Sequence, residues 1–62
     1  MKLIQIRIAD TLKALHALSK ETKPEYVVQN SRTEVRLFVE DSKFKETMKK
    51  FEEEDVRITY HN

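Results

Sequence analysis

Apolar and polar positions change period several times along this chain, and each change marks an element. Ile4, Ile6 and Ile8 alternate with Gln5 and Arg7, the period of a strand with one buried face. Asp10-Thr11 ends that pattern, and the Asp side chain predicts an N-cap that accepts from the open amides of a helix start. Leu12, Leu15 and Leu18 then recur at three-residue spacing, with Lys13, His16 and Lys20 on the other side. This predicts a helix over 11–21 with its leucines turned inward. Pro24 stops it, since its ring cannot continue the helix and it biases Lys23 to extended geometry.

Glu25-Tyr26-Val27-Val28-Gln29 and Val35-Arg36-Leu37-Phe38-Val39 are rich in strand formers, with turn residues between them. That is the pattern of a β-hairpin, with Asn30 as the residue expected to take positive φ. Asp41 or Ser42 offers a second N-cap, followed by Phe44, Met48 and Phe51 at i, i+4 and i+7. Glu46 and Lys50 form a favourable i,i+4 pair on the outer side of this second helix. Beyond Glu52-Glu53-Glu54-Asp55, Val56, Ile58 and Tyr60 alternate with Arg57, Thr59 and His61, a last strand.

The predicted order is β-α-β-β-α-β over a single domain, residues 1–62. It defines an α+β fold, the ferredoxin-like split βαβ: a four-stranded antiparallel sheet with both helices on one face. Right-handed crossovers place the first and third strands in the centre and the second and fourth at the edges. By parity, Ile4, Ile6, Ile8, Val28, Val35, Leu37, Val39, Val56 and Ile58 face the helices. Leu12, Leu15, Leu18, Phe44, Met48 and Phe51 face them in turn.

Composition narrows the chemistry. A chain of 62 residues is one small domain that buries only about 60% of its unfolded surface. With no cysteine there is neither a disulfide staple nor a thiolate metal site. With no glycine there is no phosphate-cradling glycine loop. Twelve basic and 11 acidic residues give a net charge of +1, so no global field draws in nucleic acid or membrane. Apolar runs are a few residues long, far below the ~20 needed to span a bilayer, and the start lacks a signal-peptide core. A cytoplasmic protein with no membrane partner is the expectation.

Catalysis has little to stand on in these residues. His16 and His61 are the only histidines and have no ligand-spaced partner. Ser19, Ser31 and Ser42 fall at a helix end, a turn and a cap. We therefore expect a non-enzymatic protein with no cofactor, no metal and no small-molecule substrate. Lys13, His16, Lys20 and Lys23 read as a solvated basic stripe that could steer a partner, and Glu52 to Asp55 as a solvated helix end, a docking patch for a basic partner or a weak divalent-ion site without the ligand spacing of a calcium loop.

The open sheet face is the informative surface. Parity puts Leu3, Gln5, Arg7, Val27, Gln29, Glu34, Arg36, Phe38, Arg57, Thr59 and His61 there. An apolar patch of Leu3, Val27 and Phe38 rimmed by Gln and Arg has the composition of a protein interface. Arg7, Val27, Arg36, Phe38 and Arg57 are the expected partner-binding residues. The second strand has no central Lys or Pro to block pairing, so strand addition to a partner or to a second copy, giving a homodimer, is open to it. The expected function is a small regulator or inhibitor of a protein partner. Single-stranded nucleic acid is the alternative occupant of the same face, since arginines beside an aromatic can neutralise phosphates and stack bases. Against it, Thr33 to Glu40 supplies one outward aromatic and two outward carboxylates, Glu34 and Glu40.

Overall fold

A computed structural model describes residues 1–18, 23–25 and 27–62. Its elements are β1 (Lys2–Arg7), α1 (Thr11–Ala17), β2 (Val27–Gln29), β3 (Glu34–Val39), α2 (Phe44–Glu53) and β4 (Ile58–His61). Single 3-10 turns, Ile8–Asp10 and Asp41–Lys43, lead into the two helices. The strands form one antiparallel sheet in the order β2-β3-β1-β4, so β1 and β3 are central and β2 and β4 are edges. This is the ferredoxin-like α+β arrangement that the periodicities predict. Ser19, Lys20, Tyr26 and the last part of the expected first helix lie outside the described residues.

The core sits between the sheet and the helices. Ile4 and Ile6 of β1, Val35, Leu37 and Val39 of β3, Ala14 of α1, Phe51 of α2 and Val56 are all buried. Leu18, Phe44, Met48 and Ile58 pack against them half-buried. Four expected core residues are not there: Leu12 is 82% exposed, Leu15 is 42% exposed, Ile8 leaves the strand for the 3-10 turn and is exposed, and Val28 is exposed opposite Arg36. A helix advances 100° per residue, so a three-residue repeat falls about 60° short of a full turn at each step. The leucines drift around α1, and only Leu18 arrives at the sheet, while Ala14 and Ala17 fill the space that Leu12 and Leu15 leave. Leu18 itself already has extended backbone, so α1 stops at Ala17 rather than at 21.

A chain without glycine must turn by other means. At the end of α2, Asp55 takes φ 61°, the one positive φ among the described residues. The Val56 amide donates to the Phe51 carbonyl (2.8 Å) and that of Asp55 to Glu52 (3.2 Å). That pair of bonds is the Schellman helix stop, with Asp in the position glycine usually holds and buried Val56 against buried Phe51. The acidic run is thus the last turn of α2 and its terminator. In the β2–β3 connection Asn30 does not take positive φ, contrary to expectation. Ser31 closes that turn instead: its hydroxyl accepts from the amides of Thr33 and Glu34, both at 3.1 Å.

Neither expected N-cap carboxylate or hydroxyl caps a helix. Asp10 and Lys43 precede the two helices without a side-chain cap bond. The 3-10 turns absorb the first amides, as the amide of Phe44 donates to the Asp41 carbonyl. Asp41 is held elsewhere, 3.0 Å from the Met1 ammonium, whose hydrogen bond and charge lower the Asp41 carboxyl below its ordinary value.

Candidate functional site

Strand register decides which side chains share the open face, because directly opposed residues project to the same side. On the two central strands, Leu3 opposes Phe38, Gln5 opposes Arg36 and Arg7 opposes Glu34. These six residues alternate with the buried set Ile4, Ile6, Val35 and Leu37, and they face away from the helices. Three of the five expected binding residues, Arg7, Arg36 and Phe38, therefore share this face.

Two edge-strand expectations are reversed. Val27 pairs with buried Leu37 and Gln29 with buried Val35, so both turn toward the helix side, although Val27 stays 45% exposed at the sheet edge. Val28 pairs with Arg36 and takes the open-face position. A slip of one residue exchanges every side chain between faces, and nothing in Val27-Val28 distinguishes the two registers. The second reversal comes from a β-bulge in the β1–β4 pairing, where Ile6 opposes Ile58 but Gln5 opposes Tyr60. Thr59 is the extra residue, and its hydroxyl donates to the Gln5 carbonyl at 3.2 Å. Beyond the bulge Tyr60 lies on the open face, 55% exposed, while His61 turns to the helix side and stacks obliquely on Phe44 at 5.8 Å.

The middle row of the open face thus reads Val28, Arg36, Gln5, Tyr60, with Phe38 and Leu3 in the next row. Gln5 is its polar hub. Its amide nitrogen donates to Glu34 Oε2 (2.8 Å) and its amide oxygen accepts from Asn30 (3.1 Å). Leu3 and Phe38 are half-buried, whereas Arg36 and Val28 are exposed. Arg36 makes no ion pair among the described residues.

Arg7 is different. It reaches back from the end of β1 to Asp10, with Nε at 3.1 Å and Nη2 at 3.0 Å from Oδ2. Asp10 is only 3% exposed, and the same oxygen accepts from the backbone amide of Arg57 at 3.1 Å, with Lys13 3.8 Å from its other oxygen. The Arg57 amide is the largest influence holding this carboxyl below its ordinary range; burial opposes it, and the bond and charge of Arg7 and the charge of Lys13 add to it. One buried carboxylate therefore ties the β1–α1 junction to the entry of β4. Arg57 itself precedes β4, its side chain exposed and its amide committed to this knot. The i,i+3 spacing of Arg7 and Asp10 was the available signal; the long-range amide was not.

A notch of about 360 Å³ lined by Arg7, Ile8, Ala9, Thr33, Glu34 and Thr59 opens at this end of the sheet. Among the described residues, no group of three or more His, Asp or Glu side chains is gathered where it could hold a metal ion. No described helix is long and apolar enough to cross a membrane. No family model, curated protein or solved structure significantly matches this chain.

Proposed function

We propose that this protein is a non-enzymatic regulatory module that binds a protein partner through the open face of its sheet. One observation carries the reading: Arg36, which makes no ion pair among the described residues, stands among Val28, Phe38, Leu3 and Tyr60 on the sheet face that the described helices leave open. Arginine and aromatics in a patch of mixed polarity are the residue types that anchor protein interfaces. Tyr60 joins the expected set and Val27 leaves it.

Nucleic acid is the second reading, and Tyr60 supports it by giving the face a second aromatic beside Phe38. The charge argues for protein. Arg7 is neutralised by Asp10, and Glu34 lies on the face itself, so among the described residues of the two central strands Arg36 is the cation left for a phosphate. Affinity capture with the wild type beside Arg36→Glu and Tyr60→Ala tests the proposal, with urea midpoints confirming that the variants fold. A recovered protein that both substitutions weaken by about 1–3 kcal/mol supports it. Micromolar binding of random single-stranded RNA that collapses between about 50 and 200 mM salt overturns it in favour of a phosphate-driven platform.

A further inference from the structure

The other edge of the molecule carries a second surface. A groove of about 520 Å³ runs between α2 and β4, floored by Phe44, Met48, Val56 and Ile58. Its rim is Lys45, Lys49 and Glu52, at i, i+4 and i+7 along α2. Beside it β4 is the last strand of the sheet, so its outer backbone edge pairs with no other strand among the described residues. Ile58-Thr59-Tyr60-His61 contains no lysine or proline, the residues that usually block such an edge. The bulge at Thr59 lies on the β1 side, where its hydroxyl is bonded to Gln5.

We propose that the occupant of this groove is a second copy of the chain, paired β4 to β4 in antiparallel fashion about a two-fold axis. The rim charges argue for it. β4 runs antiparallel to α2, with His61 against Phe44 at one end and Ile58 in the groove toward the other. The centre of β4 therefore lies level with Met48. A two-fold axis there sets the two α2 helices antiparallel, with Lys45 three residues to one side of Met48 and Glu52 four to the other. Lys45 of each copy then meets Glu52 of its mate, while Lys49 stands near the axis with its head free to reach water. Neither Lys45, Lys49 nor Glu52 makes an ion pair among the described residues, so none must give up a partner. The half-buried Phe44, Met48 and Ile58 gain cover, which a domain this small otherwise lacks. Both open sheet faces end on the same side of one continuous sheet, with Tyr60 beside the seam and Arg36, Phe38 and Leu3 on the strands behind it.

Sedimentation equilibrium of the full chain over a wide concentration range tests this, with urea midpoints to confirm folding. A monomer–dimer equilibrium is expected. Lys45→Glu and Glu52→Lys each weaken it at least about tenfold, since each turns two symmetric attractions into repulsions. The double variant, Lys45→Glu with Glu52→Lys, restores it to within a few-fold of wild type. A monomer at every concentration overturns the proposal. So does a dimer that ignores both single substitutions, that the double variant fails to restore, or that Val28→Lys on the opposite edge abolishes. The open-face reading is tested separately by Arg36→Glu, which leaves this equilibrium unchanged.

Discussion

The two helices cover the same face of one sheet, yet they use their apolar residues in opposite ways. α2 turns its large ones inward: Phe51 is fully buried, and Phe44 and Met48 pack half-buried against the core. α1 turns two leucines outward and offers Ala14 and Ala17 to the core. Both sequences have strong apolar periodicity, so the difference is one of phase. Phe44, Met48 and Phe51 follow the 3.6-residue turn and stay in line, whereas a strict three-residue repeat precesses. The inner side of α1 is made of small residues, with Ala14 buried and Ala17 half-buried against the core. On α2 the contact is made by large side chains, Phe51 fully buried and Phe44 and Met48 half-buried beside it.

The largest test of this asymmetry is Phe51→Ala. Removing a fully buried aromatic costs about 3–5 kcal/mol, comparable to the entire stability of many domains this small. Urea denaturation followed by far-UV circular dichroism should find the variant largely unfolded without denaturant. A well-folded Phe51→Ala protein would mean the core is not organised around α2. Next in size is Ala14→Leu. If α1 approaches the sheet through its alanine, a larger side chain overpacks and costs about 1–3 kcal/mol. A neutral or stabilising result would show slack beneath α1 and erase the contrast between the helices.

Much of the architecture was legible because strand and helix periods differ and each element is bounded by a turn or proline. Ile4, Ile6, Val35, Leu37, Val39, Phe51 and Val56 were placed inward by parity and are buried. The candidate site was legible on the central strands, where a long alternation fixes the faces of Arg36, Phe38 and Leu3. It failed at both edges, for two physical reasons. Val27-Val28 has no polar residue to set its register, and the bulge at Thr59 inverts the parity of everything after it. Asp10 misled in another way. A carboxylate before a helix is usually a cap, but here a long-range amide and a guanidinium outcompete the local helix amides.

That knot gives α1 its attachment, and it makes the attachment depend on pH. The Asp10 carboxyl is lowered in the folded protein below its ordinary 3.8. The linked stability is therefore fully present above that ordinary value and disappears as pH falls through the lower folded value. Urea midpoints measured from neutral to strongly acidic pH should fall more steeply for wild type than for Asp10→Asn in this acid window. Parallel curves would remove Asp10 as a charge-dependent anchor, leaving α1 held by packing alone.

α2 contains one inefficiency that α1 lacks. Thr47 is fully buried, and its hydroxyl finds no hydrogen-bond partner among the described residues. Thr47→Val keeps the shape and removes the unsatisfied group, so it should stabilise by about 1 kcal/mol. A loss of stability in the same urea experiment would show that the hydroxyl is satisfied after all.

The smallest expected effect is the sharpest check on helix phase. Leu12 lies opposite Ala14 on α1 and is 82% exposed, so its side chain gains little from folding. Leu12→Lys should change stability by no more than about 0.5 kcal/mol, because surface substitutions away from caps and networks stay in that range. Lysine suits the position, since it matches leucine closely in helix propensity and differs from it in burial preference. A buried position would respond in the opposite manner, with an unpaired charge in the core and a loss of several kcal/mol. The same substitution thus separates the two phases of α1 by an amount a single denaturation curve resolves. A large loss would return Leu12 to the core and remove Ala14 from it; a small change leaves the alanine-faced helix standing.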